Sequence, residues 1–163
     1  MNKVTVIGAG FAGVEAARQL SRAGIRVTLC EMKPQKFSPA HSSPNFAELV
    51  CSNSFKALRT ASAAGELKAE MEMLGSLCVS CAKATAVPAG GALAVDRDNF
   101  SALVTKTVED DPLIDIVRGV FYRCVYGLGG PTRKVVPFRS IIVRKGYFFA
   151  EFNLFTFACR RTV

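Results

Sequence analysis

Gly8-Ala9-Gly10-Phe11-Ala12-Gly13 is a GxGxxG turn, and an acid, Glu31, stands 23 residues after its first glycine. Such a turn serves pyrophosphate binding. The first glycine, Gly8, permits a tight bend. Gly10 lets the backbone approach the pyrophosphate, and Gly13 lets the following helix pack closely on the sheet. The start of that helix directs unpaired N–H groups and the positive end of its dipole at the phosphates. Glu31 is placed to accept hydrogen bonds from a ribose hydroxyl, and an acid there disfavours the extra phosphate of NADP. The pattern alone does not separate NAD from FAD.

The other candidates for chemistry are six cysteines and a single histidine, His41. Cys78 and Cys81 form the one CxxC pair, and a closed zinc site needs four ligands, so no metal site is expected. Cys51 follows the apolar pair Leu49-Val50 and precedes Ser52-Asn53-Ser54. Those polar residues could cap a helix, and a cysteine at a helix start has a lowered pKa. The alternative is a buried structural cysteine. His41 either faces a substrate or is an ordinary loop histidine. Asp96 and Arg97 either position a ligand or begin a helix.

The elements that must position these residues can be read from periodicity. Residues 3–7 are largely β-branched and apolar, as suits a buried parallel strand. A helix is expected from Val14 to Arg22, closed by Gly24, and a second strand from Ile25 to Leu29 that ends at Cys30-Glu31. Three prolines and three serines make 33–46 a loop. From Ala64 to Cys81, Leu67, Met71, Leu74, Cys78 and Cys81 recur at steps of four and three. This spacing predicts one helix with both CxxC sulfurs in the core. Val87-Pro88-Ala89-Gly90-Gly91 breaks it. Asp96 or Asp98 could cap a further helix, with Phe100, Leu103, Val104 and Val108 on its buried side. Leu113 to Val117 reads as another strand.

At 163 residues the chain fits one domain and needs no disulfide staples. It lacks an apolar run long enough to span a bilayer, and its first residues do not read as a signal peptide, so no membrane is expected and the cytoplasm is the expected compartment. The net charge of +8 is unevenly placed. Residues 1–117 hold twelve basic and twelve acidic residues, whereas 118–163 hold nine basic residues and one acid, Glu151. That tail also carries ten of the fifteen Phe and Tyr residues. Helical and strand periodicity both stop where the balance breaks.

Three segments, VTVIGAGFAGVEAARQL, PAHSSPNFAELVCSNSFKA and VPAGGALAVDRDNFSALVT, resemble the folate- and FAD-dependent tRNA (uracil-5-)-methyltransferases, relatives of the GidA-type flavoproteins. The first segment is common to many flavoproteins. The other two are more specific, since ELVCSNS and PAGGALAVDR have no generic role in a dinucleotide-binding unit. The resemblance runs from Met1 to about Val117. It implies FAD as cofactor, methylenetetrahydrofolate as carbon donor, NAD(P)H as reductant and a T-loop uridine of tRNA as acceptor. It places one of the family's two catalytic cysteines at Cys51, with a covalent role either toward uracil or in handling the one-carbon unit. Cys124 and Cys159 sit in unmatched sequence and inherit no such role.

The expected fold is therefore α/β: a Rossmann-like FAD/NAD(P)-binding domain with a parallel sheet over residues 1–117, incomplete relative to the family. Residues 118–163 form an unmatched basic, aromatic tail. It is either an RNA-binding extension or out-of-frame translation, and the abrupt loss of acids favours the second. The alternative to a tRNA methyltransferase is a non-catalytic dinucleotide-binding fragment or another FAD-dependent oxidoreductase.

Overall fold

The structure is a computed structural model that describes residues 3–120, 122–126, 133–137, 141–144 and 149–150. Strand β1 (Lys3–Ile7) leads through the glycine turn into helix α1 (Phe11–Arg22) and back into β2 (Arg26–Glu31). β1 and β2 pair in parallel from Lys3 beside Arg26 to Ile7 beside Cys30. β6 (Ile114–Arg118) adds in parallel on the other side of β2, which sets Arg118 next to Glu31. The parallel three-strand arrangement β1-β2-β6 is the Rossmann-like α/β core expected from the sequence.

Val4 and Val6 of β1, Val27 and Leu29 of β2 and Ile114 of β6 are buried, and α1 covers them with Gly13, Val14 and Ala17. Helix α4 (Arg97–Glu109) contributes Phe100, Val104 and Val108, each without exposed surface. These positions recur at steps of four, so one stripe of α4 faces the core. Asp96 caps α4, its carboxylate accepting from the Asn99 N–H at 2.9 Å.

The residues between β2 and α4 hold a small antiparallel sheet of β3 (Ser54–Ala57), β5 (Ala92–Val95) and β4 (Ala86–Val87), in the order β3-β5-β4. The Val-Pro-Ala-Gly-Gly breaker is the turn between β4 and β5, with Gly90 at φ 59°. The single helix expected over 64–81 is instead two, α2 (Ala63–Met73) and α3 (Leu77–Ala84). Gly75 takes φ 73°, which ends α2, and the Ser76 hydroxyl accepts from Val79 N–H to start α3. The break rotates the stripe out of register. Leu67 and Leu74 are 56% and 72% exposed, while Cys78 and Cys81 are buried as expected.

Beyond Arg118 the described residues form β7 (Tyr122–Tyr126), β8 (Arg133–Pro137), β9 (Ile141–Arg144) and β10 (Phe149–Ala150). β7 and β8 pair antiparallel, and β9 pairs antiparallel with β1, so the larger sheet runs β10-β9-β1-β2-β6. The sequence reading found no regular elements here. Strands of two to five residues are too short for an alternation to emerge from neighbouring residues.

Candidate active site

The three glycines of the turn have three different physical reasons. Gly8 has φ 93°, a conformation that favours glycine, and its N–H donates to Cys30 O at 2.7 Å. A Cβ on Gly13 would lie 1.7 Å from Gly8 O, so only glycine lets α1 approach the turn this closely. Gly10 is exposed at φ −74°, and a Cβ there would meet nothing within 4 Å. The folded chain therefore makes no steric or φ demand for glycine at position 10. Gly10 is also the N-cap of α1, which has no side-chain cap and no acid in its first turn. Its leading N–H groups are left for an outside acceptor.

Phe11 packs between Phe55 of β3 and Phe100 of α4, with ring centroids 5.8 and 5.7 Å away. It ties the start of α1 to the smaller sheet, while Ala12 stays exposed. Ala9 is buried and its N–H donates to Glu31 Oε2 at 2.6 Å. The second carboxylate oxygen of Glu31 accepts from Lys33 N–H at 3.0 Å. A carboxylate offers about four acceptor positions, so these two bonds leave room for ribose hydroxyls. Glu31 thus reaches the glycine turn from the neighbouring strand.

Cys51 is exposed, in a bend that leads into β3. The helix start expected at Ser52-Asn53-Ser54 is not formed. The Ser52 hydroxyl accepts from Ser54 N–H in a local turn, and Asn53 joins β5, its carbonyl accepting from Val95 N–H at 2.9 Å. No helix begins at this thiol: the next element is β3. Serine and asparagine bond their own backbone in turns as readily as they cap helices, and that local competition decided the outcome. Cys30, Cys78 and Cys81 are buried. Burial pushes the thiols of Cys30 and Cys81 up, and burial together with the Glu15 carboxylate pushes Cys78 well up. Cys124 falls in β7, and Cys159 lies outside the described residues.

His41 turns toward its own loop, with Nδ1 2.6 Å from Ser38 Oγ. That loop is held by residues the sequence reading passed over. The Lys33 ammonium donates to Asn45 O at 2.5 Å and pairs with Glu48 at 3.4 Å. Glu48 also accepts from the N–H groups of Ser42 and Ser43 at 2.9 and 3.0 Å. Burial alone would raise the Glu48 carboxyl, but these donors and the Lys33 ammonium outweigh it and hold it below the ordinary range. Arg118 donates to Lys33 O and Pro44 O, and its guanidinium lies 4.2 Å from the ring centre of Phe46. Lysines, acids and arginines usually point to solvent, and nothing in the spacing of Lys33, Glu48 and Arg118 marks them as inward-facing.

A separate open groove of about 360 Å³ lies beside the far end of α1, lined in part by Arg18, Arg22, Ser80 and Thr107. Both arginines already have partners there, Asp111 and the carbonyls of Leu74 and Gly75, so the groove offers less than the glycine turn does. Among the described residues no group of three His, Cys, Asp or Glu side chains could hold a metal ion, and no helix is long and apolar enough to cross a membrane.

A profile for the family described as glucose inhibited division protein A matches residues 3–150. Among curated relatives, a methylenetetrahydrofolate–tRNA-(uracil-5-)-methyltransferase TrmFO from Desulforamulus reducens is 60% identical over 117 residues, covering 72% of this chain and 26% of the relative. The proteins of the same name from Parasynechococcus marenigrum and Geotalea uraniireducens are 60% and 57% identical over 115 and 117 residues. These alignments cover 71% and 72% of this chain, and 25% and 27% of those relatives. The chain spans about a quarter of the length of the curated relatives it matches.

Proposed function

The chain belongs to the glucose inhibited division protein A family, and from that premise we propose that it is the nucleotide-binding part of a folate- and FAD-dependent tRNA (uracil-5-)-methyltransferase. The observation that carries the reading is Gly10. Its open surroundings and ordinary φ leave close approach of a ligand as the reason for a glycine. In this reading the backbone of Gly8, Ala9, Gly10, Phe11, Ala12 and Gly13 receives the FAD pyrophosphate, and Glu31 accepts from its ribose. The names of the TrmFO relatives supply the folate donor and the tRNA acceptor. NAD(P)H as reductant and the cytoplasm as compartment belong to the same proposal.

Bound FAD would supply, once reduced, the hydride that completes a methyl group. The residues of this chain do the rest of what can be assigned here. The ring carbon to be methylated is a weak nucleophile. A thiolate that adds to the neighbouring carbon makes it an enolate carbon, able to attack a one-carbon unit. Cys51 is exposed where Cys30, Cys78 and Cys81 are buried, and it is the residue proposed for covalent chemistry, toward uracil or toward the one-carbon unit. Asp96 and Arg97 stay with the start of α4, and His41 with its loop.

Residues 118–163 are proposed as a part distinct from 1–117. Translating the gene in its other two frames past the Arg118 codon decides whether they are a basic extension or a frame change. The cofactor proposal is tested by the absorbance spectrum of the purified chain supplied with FAD. A flavin band that survives gel filtration is expected. A colourless protein under FAD excess would reject FAD and leave the non-catalytic fragment as the better reading.

A further inference from the structure

We infer that Lys33 and Glu48 are positioning residues that lock the segment presenting Cys51 to the glycine turn, so that turn and thiol are held as one unit. The inference rests on the proposed role of Cys51 and adds to it the means by which the thiol is placed.

The bonds form a closed ring. From Ala9 N–H the ring passes to Glu31 Oε2, and from Glu31 Oε1 to Lys33 N–H. The Lys33 ammonium then reaches Asn45 O and Glu48 across the loop. Ala47, between those two, donates its N–H back to Ala9 O at 2.9 Å. The ring therefore begins and ends on the same residue of the turn. Cys51 follows Ala47 by four residues, and chain length alone keeps the two Cα atoms within about 14 Å. Leu49 packs against the core between them, and Asn53 is fixed to Val95 on the other side. The three residues Val50, Cys51 and Ser52 are thus a short span hung between two anchors, of which the ring is one.

The charges in the ring are well out of water: the Lys33 and Glu48 side chains are 5% and 12% exposed. Removing an ion pair from water costs free energy that the loop's own packing does not require. An apolar pair would fill the space but would not grip Asn45 O and the Ser42 and Ser43 N–H groups at once. The pair's particular contribution is register between loop and turn.

The test measures the rate of Cys51 alkylation by iodoacetamide in the full chain, by mass spectrometry, for Lys33→Met, Glu48→Gln and the double variant. Nucleotide-free protein is used first. Each single substitution should change the Cys51 rate at least threefold, and the double variant should change it no further than the larger single, because one broken link opens the whole ring. Alkylation of buried Cys78 and Cys81 should stay slow throughout, which separates loss of position from unfolding. If Glu48→Gln does not fold, Ser42→Ala removes only one exposed hydroxyl donor to Glu48 and should move the Cys51 rate about twofold in the same direction as Lys33→Met. Rates equal to the parent's, or multiplying independently in the double variant, would overturn the inference. A second arm adds FAD, which should shift the Cys51 rate in the parent and not in Lys33→Met. Failure of the parent to bind FAD counts against the proposed function alone, since the first arm is read without nucleotide.

Discussion

The glycine turn and the Cys51 segment meet at Ala9 and Ala47, yet they are built by opposite means. The turn is backbone work: a left-handed φ at Gly8, a close approach at Gly13 and an uncapped helix start at Gly10. The segment is side-chain work, held by Lys33, Glu48, Asn53 and Arg118 from four places in the chain. A backbone device depends on one residue type at one position and leaves a local signature. A side-chain device depends on what folding brings together, and different residues could serve it.

The comparison can be broken most sharply at Gly13. Valine there would drive carbon into Gly8 O, a backbone atom that cannot step aside. Overpacking of this kind should cost on the order of 3 kcal/mol or more, read as a lower urea midpoint at unchanged slope. Wild-type stability in Gly13→Val would show that the helix does not need its close approach. Gly10→Val is the next largest effect and separates folding from binding. Its unfolding free energy should stay within about 1 kcal/mol of the parent's, the cost of a poorer N-cap, while FAD affinity falls at least tenfold, about 1.4 kcal/mol. Equal flavin retention in Gly10→Val would remove the pyrophosphate from this turn.

The smallest of the three effects sits at the opposite end of α1, where the contrast recurs. There Asp111 accepts from Ser21, Leu113 N–H and Arg18. Burial alone would raise its carboxyl, but the Ser21, Leu113 and Arg18 donors together outweigh that and lower it. A folded value below the unfolded one, about 3.9, gives stability that is present above that pH and lost as pH falls through the folded value. Asp111→Asn should therefore cost about 1 kcal/mol near neutral pH. Its urea midpoint should converge with the parent's in acid. Parallel pH profiles would mean that the carboxylate's charge contributes nothing.

The same division explains what could be read from the sequence. β1, α1, β2, the tight turn at Gly8, the close helix approach at Gly13 and the position of the acid at the end of β2 all rest on local patterns and were legible, as were the Asp96 cap and β6. The helix break was missed because apolar spacing ran on through Leu74 while Gly75 and Ser76 ended one helix and began another. A helix start near Cys51 was expected where Ser52 and Asn53 instead serve a turn and a strand partner. Lys33, Glu48 and Arg118 gave no signal, since a lysine that faces inward has the same neighbours in sequence as one that faces water.

Arg118 has a consequence in time. The Ala9–Glu31 bond closes over 22 residues, whereas Arg118 reaches Lys33 over 85. Short closures form early and long ones late, and synthesis delivers residues in chain order at about 5–20 per second. On the ribosome the glycine turn can assemble once β2 has emerged, seconds before the guanidinium that clamps the neighbouring loop exists. The outer clamp on the loop is thus a late product of an early scaffold, and for that interval the nascent chain carries a formed turn beside a loop that its last guanidinium has yet to fasten.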